Sequence, residues 1–93
     1  MKTQKTVIVT GASQGIGACL VKTFLERGYQ VVATARSMEK SGFQASKQLA
    51  LVDGDIGEAS AARKIADAAI EQFGSIDMLV NNAGIFQIGR AHV

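Results

Sequence analysis

Apolar residues along this chain follow two rhythms. Thr6 to Thr10, Val31 to Ala35, Leu49 to Val52 and Ile76 to Val80 are short, mainly apolar runs, the first two rich in β-branched residues, and they close on Gly11, Arg36, Asp53-Gly54-Asp55 and Asn81-Asn82. Such runs predict four strands, the first of them buried on both faces. Between the first two, Ile16, Leu20, Val21, Phe24 and Leu25 recur at helical spacing, which predicts a helix from Ile16 to Arg27 ended by a left-handed Gly28. A second helix is expected from about Glu58 to Phe73, with Ile65, Ala66, Ala69, Ile70 and Phe73 on one face and Gly74 closing it. Residues Ser37 to Ser46, "SMEKSGFQAS", are small and polar without a period, so they read as a loop with at most one turn of helix. Strands alternating with helices imply parallel pairing through right-handed crossovers. The expected fold is α/β: a partial doubly wound parallel sheet of about four strands with two long helices.

In such sheets ligands sit beyond the carboxyl ends of the strands. All the unusual clusters fall there: "GASQGIG" after the first strand, Arg36 after the second, "DGDIG" after the third and "NNAG" after the fourth. The glycines raise the sharpest question, because fixing glycine is entropically unfavourable. Gly11 suits a sharp exit from the strand, Gly15 a close approach of backbone to a bulky anion, and Gly17 tight packing of helix on strand. The helix that starts there points unsatisfied N–H groups, equivalent to about half a positive charge, at the same spot. A pyrophosphate meets that demand; an ordinary glycine-rich turn is the bland alternative. No Gly-Lys-Ser/Thr follows, which excludes a phosphate loop of the NTPase type.

Composition narrows the setting. A chain of 93 residues, 47% hydrophobic, suits one core and not two. No apolar run approaches the roughly 20 residues needed to span a bilayer, and the basic start leads into only a short apolar stretch. A soluble, unprocessed, cytoplasmic chain is expected. The net charge of +2 is spread without a stripe of one sign, which argues against nucleic acid as a partner. The single cysteine, Cys19, cannot form an internal disulfide and sits within the apolar helical pattern, so it reads as a small buried hydrophobe.

Glycines spaced Gly11-x-x-x-Gly15-x-Gly17 in "TGASQGIG", followed at the fourth strand by "NNAG", resemble the short-chain dehydrogenase/reductase family. The match runs from about Lys5 to Gly84, so that 1–84 reads as the N-terminal half of an NAD(P)-binding domain of the Rossmann type and 85–93 as an atypical tail. The resemblance implies hydride transfer between a nicotinamide cofactor and an alcohol or carbonyl. It places Gly11, Ser13, Gln14, Gly15, Ile16 and Gly17 around the pyrophosphate and adenosine side. Asp55 and Ile56 take the place where the family holds the adenine, although Asp55 equally suits a cap on the following helix. Asn82, Ala83 and Gly84 line the ribose and the approach to the nicotinamide, with Asn81 tying adjacent strands. At the second strand, NAD-binding proteins place a carboxylate and a 2′-phosphate calls for arginine. Here Ala35-Arg36 ends the strand, which favours NADP over NAD unless Arg36 is simply a solvated surface side chain.

The family's catalytic Tyr, with Lys four residues later and Ser upstream, has no counterpart. The one tyrosine, Tyr29, is followed four residues on by Ala33 and lies at the start of a strand. No catalytic or metal-binding residue is assigned, and His92 reads as an exposed terminal residue. An alcohol or carbonyl substrate and a homo-oligomer are expected only of a longer form. Without one, an open fourth strand implies marginal stability and self-association. A non-catalytic dinucleotide-binding sensor or docking module, or an inert fragment, are the alternative readings.

Overall fold

The computed structural model describes residues 4–54 and 57–82. Strands β1 (Thr6–Thr10), β2 (Gln30–Ala35), β3 (Leu49–Asp53) and β4 (Met78–Val80) form one parallel sheet in the order β3-β2-β1-β4. Helix α1 (Gly15–Glu26) connects β1 to β2, and α2 (Ala59–Phe73) connects β3 to β4. The chain thus steps from β1 outward to β3, then returns to pair β4 on the other side of β1. That reversal opens a crevice at the carboxyl ends of β1 and β4.

Strand side chains alternate, and the two faces bury separate layers. Val7, Val9, Val31, Ala33 and Leu49 pack with Val21 of α1 and with Met38. Ile8, Val32, Ala50 and Val52 pack with Ile65, Ala69 and Phe73 of α2. Full burial of one Val or Ile contributes roughly 1.5–3 kcal/mol. Two such layers, one per face, clamp the sheet between its helices.

The helix ends follow local chemistry. Beyond α1, the Tyr29 N–H donates to the Phe24 carbonyl at 3.0 Å and the Gly28 N–H to that of Leu25 at 3.1 Å, with Gly28 at φ 87°. This is a Schellman turn, and its customary apolar contact is the edge-on packing of Phe24 and Tyr29, centroids 4.9 Å apart. Gly74, at φ 82°, closes α2 by donating to Ile70 O at 2.9 Å. The polar stretch after β2 contains a single 3₁₀ turn, Met38–Ser41.

Four expectations need correction. Cys19 is exposed. Gly17 and Val21 are the buried residues of α1, and Cys19 lies about 200° around the helix from each, on the outer side. Ile16, read as part of the core stripe, is 72% exposed at the crevice end of α1. Ile70 is likewise exposed, because α2 buries the row Ile65, Ala69, Phe73 and Ile70 stands one residue off it. Finally, β4 begins at Met78 and not Ile76. The Asp77 carboxylate accepts the Thr6 N–H at 2.8 Å while the Asp77 N–H donates to Thr6 O, so ladder pairing starts only beyond that clamp.

Candidate functional site

Each described residue singled out around "GASQGIG", Arg36 and Asn82 lies at the carboxyl end of the sheet. Asp55, Ile56, Ala83 and Gly84 lie outside the described residues. Gly11 leaves β1 at φ 61°, a conformation that favours glycine. The next residue, Ala12, is fully buried and its N–H donates to Thr34 O at 3.1 Å, which anchors the turn on β2.

Gly15 and Gly17 differ in why they must be glycine. Gly15 has φ 63°, and a Cβ added there would meet nothing within 4 Å. Gly17 is buried against the turn: a Cβ would collide with the Gly11 carbonyl oxygen and lie 2.7 Å from its carbon and 3.0 Å from Ala12 Cα. One glycine keeps backbone bare beside open space, and the other lets the helix seat on the strand exit.

The start of α1 suits an anion. Its N-cap, Gln14, is extended and makes no side-chain capping bond, and no acid occupies the first turn. The first N–H groups of a helix have no intrahelical acceptors, and the helix dipole adds favourable potential for negative charge there. Ser13 is half-buried, whereas Gln14, Gly15 and Ile16 are exposed on the same rim. Arg36 is exposed immediately after β2, within the same row of strand ends.

The β4 side is tied to the turn by side chains. Thr10 Oγ1 donates within the β4 end, with Asn81 Oδ1 at 3.0 Å and Val80 O at 3.4 Å as its acceptors. Asn82 Nδ2 donates to Gly11 O at 3.3 Å. Asn82 and Gly11, separated by almost the whole chain, therefore form adjoining walls of one crevice. Spacing along the chain gave no sign of this bond, nor of the one at Asp53. That residue ends β3, and its Oδ1 accepts the Met38 N–H at 2.8 Å, which pins the 3₁₀ turn to the strand. Lys64 Nζ donates to Asp53 O at 3.2 Å.

Two other places in the molecule are set apart from the crevice. A shallow cavity of about 600 Å³ lies along β3, between Phe43 and Met38 on one side and Lys64 and Ala68 of α2 on the other. Tyr29 stands at the opposite, amino end of β2. Among the described residues there is no cluster of His, Cys, Asp and Glu able to hold a metal, and no helix long and apolar enough to cross a membrane.

Comparison with known proteins agrees with this geometry. Residues 5–92 match the family model described as short chain dehydrogenase. An uncharacterized oxidoreductase of Methylorubrum extorquens is 39% identical over 92 residues, covering 89% of this chain and 36% of its own length. A 3beta-hydroxysteroid dehydrogenase of Eggerthella lenta is 38% identical over 88 residues, covering 87% and 34%. Among solved structures, a short chain dehydrogenase from Bacillus anthracis superposes with a TM-score of 0.75 at 34% identity, covering 84% of this chain and 34% of that one. The chain spans about a third of the length of these relatives.

Proposed function

Because this chain belongs to the short chain dehydrogenase family, we propose that it holds the adenosine and pyrophosphate side of a nicotinamide dinucleotide for an oxidoreductase. The observation that carries this reading is the start of α1, uncapped and free of acid, beside a positive-φ glycine that faces open space. A cradle of that kind admits a diphosphate against main-chain N–H groups, and a side chain at Gly15 would project into the space required.

The fit continues around the crevice. Gly11, Ser13, Gln14, Gly15 and Gly17 surround the pyrophosphate and the adjoining ribose. Ile16, apolar and exposed at the rim, offers a dry surface to the ligand instead of to the core. Arg36 presents a planar, permanently charged fork where the dinucleotide's 2′ position falls, and a phosphate there pairs with it better than a hydroxyl does. NADP is therefore the preferred cofactor, with NAD second. Asp55 and Ile56 receive the adenine, and Asn82, Ala83 and Gly84 line the ribose.

When bound, the dinucleotide supplies a hydride donor or acceptor at the nicotinamide C4. This chain's residues bind and orient it; the proton exchanged with an alcohol or carbonyl belongs to residues such as the family's Tyr and Lys, which these 93 positions do not contain. The chain by itself therefore binds without turnover.

The test is a fluorescence titration of the 93-residue chain with NADPH. Saturable binding is expected, and Gly15→Val should abolish it. Equal uptake by the wild type and Gly15→Val would overturn the assignment.

A further inference from the structure

Arg36 stands between two fixed points of the chain. On one side, Ala35 closes β2 in register with Asp53 of β3, and its carbonyl accepts the Gly54 N–H at 2.9 Å. On the other, Met38 opens the 3₁₀ turn and is held in three ways. Its N–H donates to Asp53 Oδ1 at 2.8 Å, its carbonyl accepts the Ser41 hydroxyl proton with the oxygens 2.6 Å apart, and its side chain is 2% exposed in the layer beneath α1. Arg36 and Ser37 alone separate these anchors.

Of the three, the bond to Asp53 is the one that ties the start of the turn to a neighbouring strand. The first N–H groups of a helical turn have no acceptor within it. Ser37 occupies the capping position in extended geometry, φ −147°, yet among the described residues its side chain makes no capping bond. Asp53 supplies the acceptor instead, and an ionised acceptor makes such a bond roughly twice as strong as a neutral one. A two-residue link held at both ends has little backbone freedom, so the direction in which the Arg36 side chain leaves the chain is set before any ligand arrives. A side chain carried on a fixed backbone loses less entropy in pairing with a phosphate than one carried on a loose loop.

We propose that Asp53 is a positioning residue for the choice between NADP and NAD. By pinning Met38 it holds the Arg36 backbone where the guanidinium meets the 2′ position of the dinucleotide, and it acts through that backbone and not by contact with the ligand. Loss of the acceptor frees the Met38 N–H and loosens the link, which weakens NADPH through Arg36. NADH carries a hydroxyl at the 2′ position and is little affected. The inference rests on the reading of Arg36 as the partner of a 2′-phosphate.

The experiment titrates NADPH and NADH into the wild type, Asp53→Ala and Asp53→Asn forms of the 93-residue chain, with amide hydrogen exchange at Met38 as the measure of the pin. Both substitutions remove the negative charge, but asparagine keeps a carbonyl oxygen for the Met38 N–H. The ratio of NADPH to NADH affinity in Asp53→Asn should equal or exceed that of the wild type. In Asp53→Ala it should fall roughly 3- to 10-fold below that of the asparagine variant, the range set by one net hydrogen bond, and Met38 should exchange faster. A role confined to folding would weaken both cofactors together and leave the ratio unmoved, which would overturn the proposal. So would equal ratios in the alanine and asparagine variants, or Met38 exchange unchanged in Asp53→Ala. A wild type that binds NADPH and NADH equally would instead overturn the reading of Arg36, and this inference with it.

Discussion

Gly17→Ala isolates the contact that seats α1 on the strand exit. Within an ordinary helix, replacing glycine by alanine stabilises by roughly 0.8–1 kcal/mol. Here the new methyl would strike the Gly11 carbonyl oxygen and come within 2.7 Å of its carbon, and both are backbone atoms held by a turn that is itself anchored on Thr34. Neither atom belongs to a flexible side chain that can swing aside. The first turn of α1 must lift from the sheet, and overpacking of that kind costs about 1–3 kcal/mol, more where backbone has to shift. Because backbone has to shift here, the upper part of that range applies, about 2–3 kcal/mol, and subtracting the helix gain leaves a net loss on the order of 1–2 kcal/mol. For a domain of this size each kcal/mol moves the midpoint by about 4–8 °C. Circular dichroism melts should therefore place Gly17→Ala on the order of 5–15 °C below the wild type. A variant that melts at or above the wild-type temperature would show that the helix stands free of the turn, and the close-approach reasoning would fail.

The other residues invite equally direct tests. If the proposed NADP preference holds, Arg36→Ala should weaken NADPH binding about tenfold or more while leaving NADH within about twofold, since the guanidinium would pair with the 2′-phosphate alone; parallel titrations check this, and equal losses would defeat the NADP preference. Asp77→Ala removes the acceptor of the buried Thr6 N–H, so it should lower stability by about 1–2 kcal/mol and raise hydrogen exchange at the Thr6 amide. Exchange unchanged there would mean that the clamp contributes nothing. Gly28→Ala forces a Cβ into φ 87°, which costs about 1 kcal/mol although the space around it is open. Its melt should drop by several degrees, whereas Gly28→Asn, better suited to that conformation, should drop less.

Much of the fold could be read from local signals, and the reason is visible at particular residues. Gly28 and Gly74 end their helices in left-handed geometry, which no other residue adopts so readily, and both helices stop where those glycines stand. The runs at Val7 to Val9 and Val31 to Ala33 are buried throughout, so an unbroken apolar stretch was sufficient to mark a central strand. Periodicity failed where tertiary contact decides the outcome. It could not say which side of α1 faces the sheet, because that depends on Gly17 docking against Gly11, and so it buried Cys19 and Ile16 wrongly. It lengthened β4 because Ile76 and Asp77 adjoin an apolar run, whereas the Asp77 carboxylate takes over the Thr6 N–H before the ladder begins.

The crevice was legible in part for the same reason. Strand–turn–helix order alone brings Gly11 to Gly17, Arg36 and Asn82 to one end of the sheet. The bonds that join those elements, Asn82 to Gly11 and Asp53 to Met38, cross between distant segments and depend on distances that only the folded chain supplies. The buried hydroxyl of Thr34, which has no hydrogen-bond partner among the described residues, had no sequence signal at all, since threonine is an ordinary strand residue.

The most direct test of the dinucleotide site is an amide NMR titration of the 93-residue chain with NADPH. Saturable shifts should be largest at Gly15, Ile16 and Gly17, whose N–H groups the proposal sets against the diphosphate, with Arg36 next. Shifts confined to the β3 cavity around Phe43 and Lys64, or no shift at the start of α1 at saturating NADPH, would contradict a diphosphate bound at that helix terminus.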